Sequence, residues 1–94
     1  MTGLEEYRSE IEEIDEKIIR LIDRRIGISK KIFAAKRIEG KPISDPVRES
    51  LVLNKAMDLA TELNLDAGAI KNIFEILITM SVQKQQELQG RNQG

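Results

Sequence analysis

Arg25 and Lys36 are the residues of this chain whose type and spacing best suit chemistry. They lie eleven residues apart in a segment with helical periodicity. Eleven residues make three helical turns with a residual rotation of about 20°, so both side chains leave one face, roughly 16 Å apart along the axis. Two long cationic side chains can close that gap around a small anion. Arg25 is also out of place. Apolar residues at Leu4, Tyr7, Ile11, Ile14, Ile18, Leu21, Ile28, Ile32 and Ala35 step by three and four, and the repeat asks for another at 25. A guanidinium in a packed seam is costly unless something anionic meets it.

Other polar residues could join such a site. Ser81 and Gln85 are four apart and share a helical face. Ser81 falls on the stripe of Ile70, Phe74 and Leu77, where an apolar residue is expected. Asp45, Arg48 and Glu49 gather at the start of a second helix, where free N–H groups favour anions. Arg8 lies about 25 Å from Arg25 and is rotated by about 100°, so it reaches the site only from the other chain of an antiparallel pair.

Each residue also has a plainer explanation. A straight helix drifts about 20° per heptad against a strict repeat. Ile22, Ile26 and Phe33 can then take over the stripe and leave Arg25 at its edge with a solvated head. Taken singly, Lys36, Arg48 and Glu49 read as surface charges, Asp45 as a helix cap, and Ser81 with Gln85 as a polar boundary. Arg8 alone carries little information. Only the combination says more.

Composition narrows the chemistry. The 94 residues contain no His and no Cys, which removes disulfides, thiol nucleophiles and the usual transition-metal ligands. No cofactor or metal is expected. A formal net charge of −1 and 3% aromatics argue against a nucleic-acid partner. The acidic N-terminal segment does not look like a signal peptide, and no apolar run approaches membrane-spanning length. The cytoplasm is the expected location.

Three helices must position these residues. The first is expected from about Leu4 to Ile38, with Gly27 inside it at a point of close packing or slight bend, and Gly40 and Pro42 ending it. The second starts with Asp45 as N-cap and Pro46 at its first position, and runs to about Leu63. Asp66 caps the third, which runs to about Leu88. The expected organisation is one all-α domain over 1–94, with an ordered core at about 4–88 and a frayed tail at 89–94. The first helix is long for its chain. At 1.5 Å per residue it spans roughly 50 Å. A compact chain of this length is only about 32 Å across. An intertwined helical homodimer, with the same helix of a second chain covering the apolar stripe, is the simplest remedy.

The combination resembles the all-α chorismate mutases. The residues that carry the likeness are Arg8-Ser-Glu-Ile-Glu-Glu-Ile-Asp15-Glu-Lys, Asp23-Arg24-Arg25, Ala35-Lys36, Ser44-Asp45-Pro-Val-Arg48-Glu49 and Ser81-Val-Gln-Lys-Gln85-Gln. The likeness spans roughly residues 4 to 88. It implies an intertwined helical dimer with two equivalent sites, acting in aromatic amino-acid biosynthesis on chorismate, a dianion, without a cofactor. It further implies that Arg25, and Arg8 from the partner chain, bind the two carboxylates. Lys36 and Gln85 donate hydrogen bonds to the ether oxygen whose bond breaks. Arg48 helps bind a carboxylate or organises the pocket. Glu49 and the Asp45 backbone hold the ring hydroxyl, and Ser81 supports a carboxylate. Three rivals remain at this point: an isochorismate pyruvate-lyase on the same fold, a noncatalytic helical regulatory or assembly module, and a generic coiled-coil adaptor.

Overall fold

The computed structural model describes residues 3–93. They form three helices, α1 (Leu4–Glu39), α2 (Pro46–Glu62) and α3 (Ala67–Gln93), and no strand among the described residues. The helix boundaries follow from local chemistry. Gly40 ends α1 in the left-handed conformation at φ 68°, and the Lys41 N–H reaches back to the Lys36 carbonyl at 2.8 Å. Asp45 caps α2, its carboxylate accepting from the Arg48 N–H at 3.1 Å, with Pro46 at the first helical position. Asn64, at φ 59°, gives α2 the same kind of exit that Gly40 gives α1, and Leu65 N–H bonds back to the Ala60 carbonyl at 2.8 Å. The Asp66 carboxylate then caps α3 through the Ala69 N–H at 3.1 Å.

Two expectations need correcting. The third helix does not end near Leu88 but runs through Gln93. The Arg91 guanidinium donates to the Glu87 carboxylate at 2.6 Å, one turn back, and so bridges Gly90. Gly94 lies outside the described residues. Gly27 is not a point of close packing within the chain, because a Cβ there would meet nothing within 4 Å.

Helix α3 packs against both α1 and α2, whereas α1 and α2 do not pack on each other. The molecule is therefore long and thin, 58 × 27 × 16 Å, with a radius of gyration of 16.9 Å. A compact chain of this length has about 12 Å. Helix α1 supplies the excess. Its 36 residues span about 54 Å, and every residue from Leu4 to Leu21 is exposed. Phe33 and Ala60 are the only buried apolar residues among those described.

The face of α1 that packs on α3 is not the heptad stripe. Ile22, Ile26, Ser29 and Phe33 are buried or half-buried, while Leu21, Ile28, Ile32 and Ala35 are exposed. At 100° per residue the two sets centre about 120° apart, and Arg25 and Lys36 fall between them. The drift of the repeat has thus moved the packed stripe, as helical geometry allows. The apolar repeat itself remains a second, uncovered face.

Candidate active site

The border between those two faces opens into a cleft of about 480 Å³. Seven of the eight residues singled out in the sequence line it: Arg25, Lys36, Asp45, Arg48, Glu49, Ser81 and Gln85. Three separate parts of the chain deliver them. Helix α1 contributes Arg25 and Lys36, the start of α2 contributes the acidic and basic cluster, and α3 contributes Ser81 and Gln85.

Arg25 is the best-anchored group. Its Nη1 donates to the Ser81 hydroxyl at 2.7 Å and to the Leu77 carbonyl at 3.1 Å. The reading in which Arg25 sits at the stripe's edge with a solvated head is therefore half right. Ile22, Ile26 and Phe33 do take over the packing, but the guanidinium turns onto α3 rather than into water. Burial lowers its pKa from the ordinary arginine value. An arginine still keeps its proton at neutral pH, so the site holds a fixed positive charge.

Lys36 Nζ donates to the Ile43 carbonyl at 2.6 Å, tying the end of α1 to the α1–α2 connection. An ammonium has three donors, and the two others stay free. Gln85 is 4% exposed, and its Oε1 is buried with no hydrogen-bond partner. A buried amide oxygen without a donor is costly, so this position favours a polar occupant of the cleft.

The start of α2 closes on itself. Asp45 accepts from the Arg48 N–H, and the Asp45 N–H donates to Glu49 Oε2 at 3.2 Å. The Asp45 backbone N–H is thus already engaged, and Glu49, with a second carboxylate oxygen, is the better acceptor for a ligand hydroxyl. Arg48 is exposed at the rim. In all, Arg25, Lys36, Lys41 and Arg48 face Glu39, Asp45 and Glu49 around the cleft. The carboxylates are largely committed, Glu39 to Lys41 at 3.2 Å and the other two to the amides that open α2. The balance favours an anion.

Arg8 does not join this group. It lies on the exposed half of α1, paired with Glu5 at 2.9 Å. A residue missed in the sequence takes a place in the cleft instead. Ser29 is 3% exposed, and its hydroxyl lies 2.9 Å from the Ser81 hydroxyl and 3.1 Å from the Arg25 carbonyl. The available signal was its position one helical turn after Arg25.

Comparison with known proteins gives the family. Residues 7–86 match the model of the chorismate mutase type II family. The chain belongs to that family. A chorismate mutase of Methanocaldococcus jannaschii is 39% identical over 93 residues, covering 95% of this chain and 94% of that protein. A 4-amino-4-deoxychorismate mutase of Streptomyces venezuelae is 30% identical over 76 residues, covering 81% of this chain and 74% of that protein. The bifunctional chorismate mutase/prephenate dehydratase of Escherichia coli K12 is 32% identical over 81 residues, covering 86% of this chain but 21% of that longer protein. For a type II chorismate mutase, the polar breaks at Arg25 and Ser81 are no anomaly. They are two ends of one contact between α1 and α3. Among the described residues no helix is long and apolar enough to cross a membrane.

Proposed function

We propose that this protein rearranges chorismate to prephenate, a step of aromatic amino-acid biosynthesis, in the cleft between α1, α2 and α3, and that a second copy of the chain completes the site with Arg8. The reaction is intramolecular. The ether C–O bond breaks while a C–C bond forms within the same molecule, and no proton, nucleophile or electron carrier takes part. What the protein must supply is shape and charge.

The residues present suit that task. Chorismate is a flexible dianion, and a reactive chair-like conformer must be held against the extended ones. Arg25, fixed on Ser81 and Leu77, grips one carboxylate through its remaining N–H groups. Arg8 of the second copy takes the other, aided by Arg48. Glu49 holds the ring hydroxyl. As the C–O bond lengthens, negative charge gathers on the ether oxygen. The Lys36 ammonium and the Gln85 amide N–H stabilise that charge more in the transition state than in the ground state.

The observation that carries the reading is the convergence of Arg25, Lys36, Ser81 and Gln85 on one cleft from two helices. The need for a second chain is supported by the exposed apolar repeat on α1 and by Arg8, stranded on the same half of that helix. The test is turnover of chorismate, followed by its loss of absorbance, for wild type beside Lys36→Ala. Loss of one transition-state donor lowers kcat by roughly 10²–10³-fold. Equal rates would remove Lys36 from the mechanism. Absence of turnover from folded wild type would refute the reaction. Isochorismate, offered in parallel with pyruvate release as the readout, tests the lyase alternative.

A further inference from the structure

The hydroxyl pair Ser29–Ser81 poses a question of proton placement. Each hydroxyl has one proton to donate and two lone pairs to accept with. Ser81 Oγ already accepts from Arg25 Nη1 at 2.7 Å. Ser29 Oγ has two acceptors in reach, Ser81 Oγ at 2.9 Å and the Arg25 carbonyl at 3.1 Å, and one proton for them. Two arrangements follow. In one, Ser29 donates to the Arg25 carbonyl and Ser81 spends its proton on Ser29. In the other, Ser29 donates to Ser81, both Ser81 lone pairs are filled, and the Ser81 proton is left to point into the cleft.

An anion in the cleft chooses between them. In the first arrangement a carboxylate near Ser81 meets an oxygen with nothing to give. In the second it meets a donor. The exchange replaces a neutral hydrogen bond with a charge-assisted one, which is roughly twice as strong. We propose that Ser29 is a positioning residue for carboxylate binding: it fills the acceptor side of Ser81, and so turns the Ser81 proton toward the substrate and keeps a fixed acceptor under Arg25. Ser29 itself is 3% exposed and acts through Ser81. Without Ser29, the Ser81 hydroxyl is free to swing to the Leu77 carbonyl, the residue one turn before it, as serines within helices do. That carbonyl already holds the second Arg25 contact, so the guanidinium is disturbed as well.

The inference rests on the mutase reading, and its test separates the two. Wild-type turnover of chorismate reports on the reaction alone. Ser29→Ala is then compared with wild type, Ser81→Ala and the double variant. The expected result is a rise in KM of roughly three- to tenfold, the worth of one hydrogen bond. A smaller effect on kcat and an unchanged melting temperature are expected alongside. Prephenate affinity measured by calorimetry falls by the same factor. In the Ser81→Ala background, Ser29→Ala has no further effect. Ser29→Cys, close in size with a weak donor, falls in between and serves if the alanine variant folds poorly. Equal losses with and without Ser81, or no loss in wild type, overturn the proposal.

Discussion

The two halves of α1 carry one apolar repeat and meet different surroundings. From Ile22 onward the helix lies against α3, burying Ser29 and Phe33 and fixing Arg25 on Ser81. From Leu4 to Leu21 every residue of the same helix is exposed, Leu4, Tyr7, Ile11, Ile14, Ile18 and Leu21 among them. Apolar positions are as regular in the free half as in the packed one. A repeat kept over five turns of unpartnered helix exposes far more apolar surface than a lone chain has use for. The packed half builds the cleft. The free half holds an uncovered apolar surface and Arg8, which the proposed function assigns to the cleft of a second copy. On the proposed function, the difference means that a single chain is a partial site, completed by the free half of a second copy.

Breaking the free half gives the largest effect. Ile14→Glu puts a charge in the middle of the uncovered stripe. We expect a monomer by light scattering and a loss of turnover of roughly a hundredfold or more, since burying an unpaired charge defeats association. A dimer that survives, or a monomer that keeps full activity, would show that the exposed repeat is not the second half of the site.

Changing pH sharpens the account of the packed half. Gln85 is an amide and has no proton to lose between pH 6 and 8. Arg25 has its pKa lowered by burial. For a cation this means that the folded chain holds the proton less tightly than the unfolded one. The cost to stability is therefore constant while the guanidinium keeps its proton and is relieved only as pH rises through the folded pKa. We expect kcat to vary by less than about twofold from pH 6 to 8. A steep fall across that range contradicts Gln85 as the ether-oxygen donor.

The smallest effect falls at Gly27, near the junction of the halves. A Cβ there meets nothing within the chain. Gly27→Ala is expected to raise stability by up to about 1 kcal/mol in thermal unfolding, the helix-propensity gain. A loss of stability instead places the second copy against that position.

Much of the fold was legible because its punctuation is chemical. Gly40, the Asp45-Pro46 pair and Asp66 each act at the helix end where the sequence places them. The far end of α3 was not: the helix continues past the stop expected after Leu88, and the Arg91–Glu87 pair spans Gly90 there. In the site, Arg25 and Ser81 were visible as polar breaks in apolar stripes, and the structure joins them directly. Ser29 was missed for the opposite reason. It lies off the heptad register, on the face that becomes buried only once the helix drifts onto α3. Glu49 and Asp45 were found by type, but their engagement with each other depends on backbone placement that spacing does not reveal.

The central claim is that each site takes Arg25 from one copy of the chain and Arg8 from another. Subunit mixing tests it directly. Arg8→Ala and Arg25→Ala homodimers are each expected to lose nearly all turnover while staying folded. Mixed by joint refolding, half of the dimers are hybrids, and each hybrid contains one site with both arginines intact. The account predicts recovery of about a quarter of the wild-type rate, as two-fold symmetry requires. No recovery from demonstrated hybrids would contradict it, because both arginines would then have to come from the same chain.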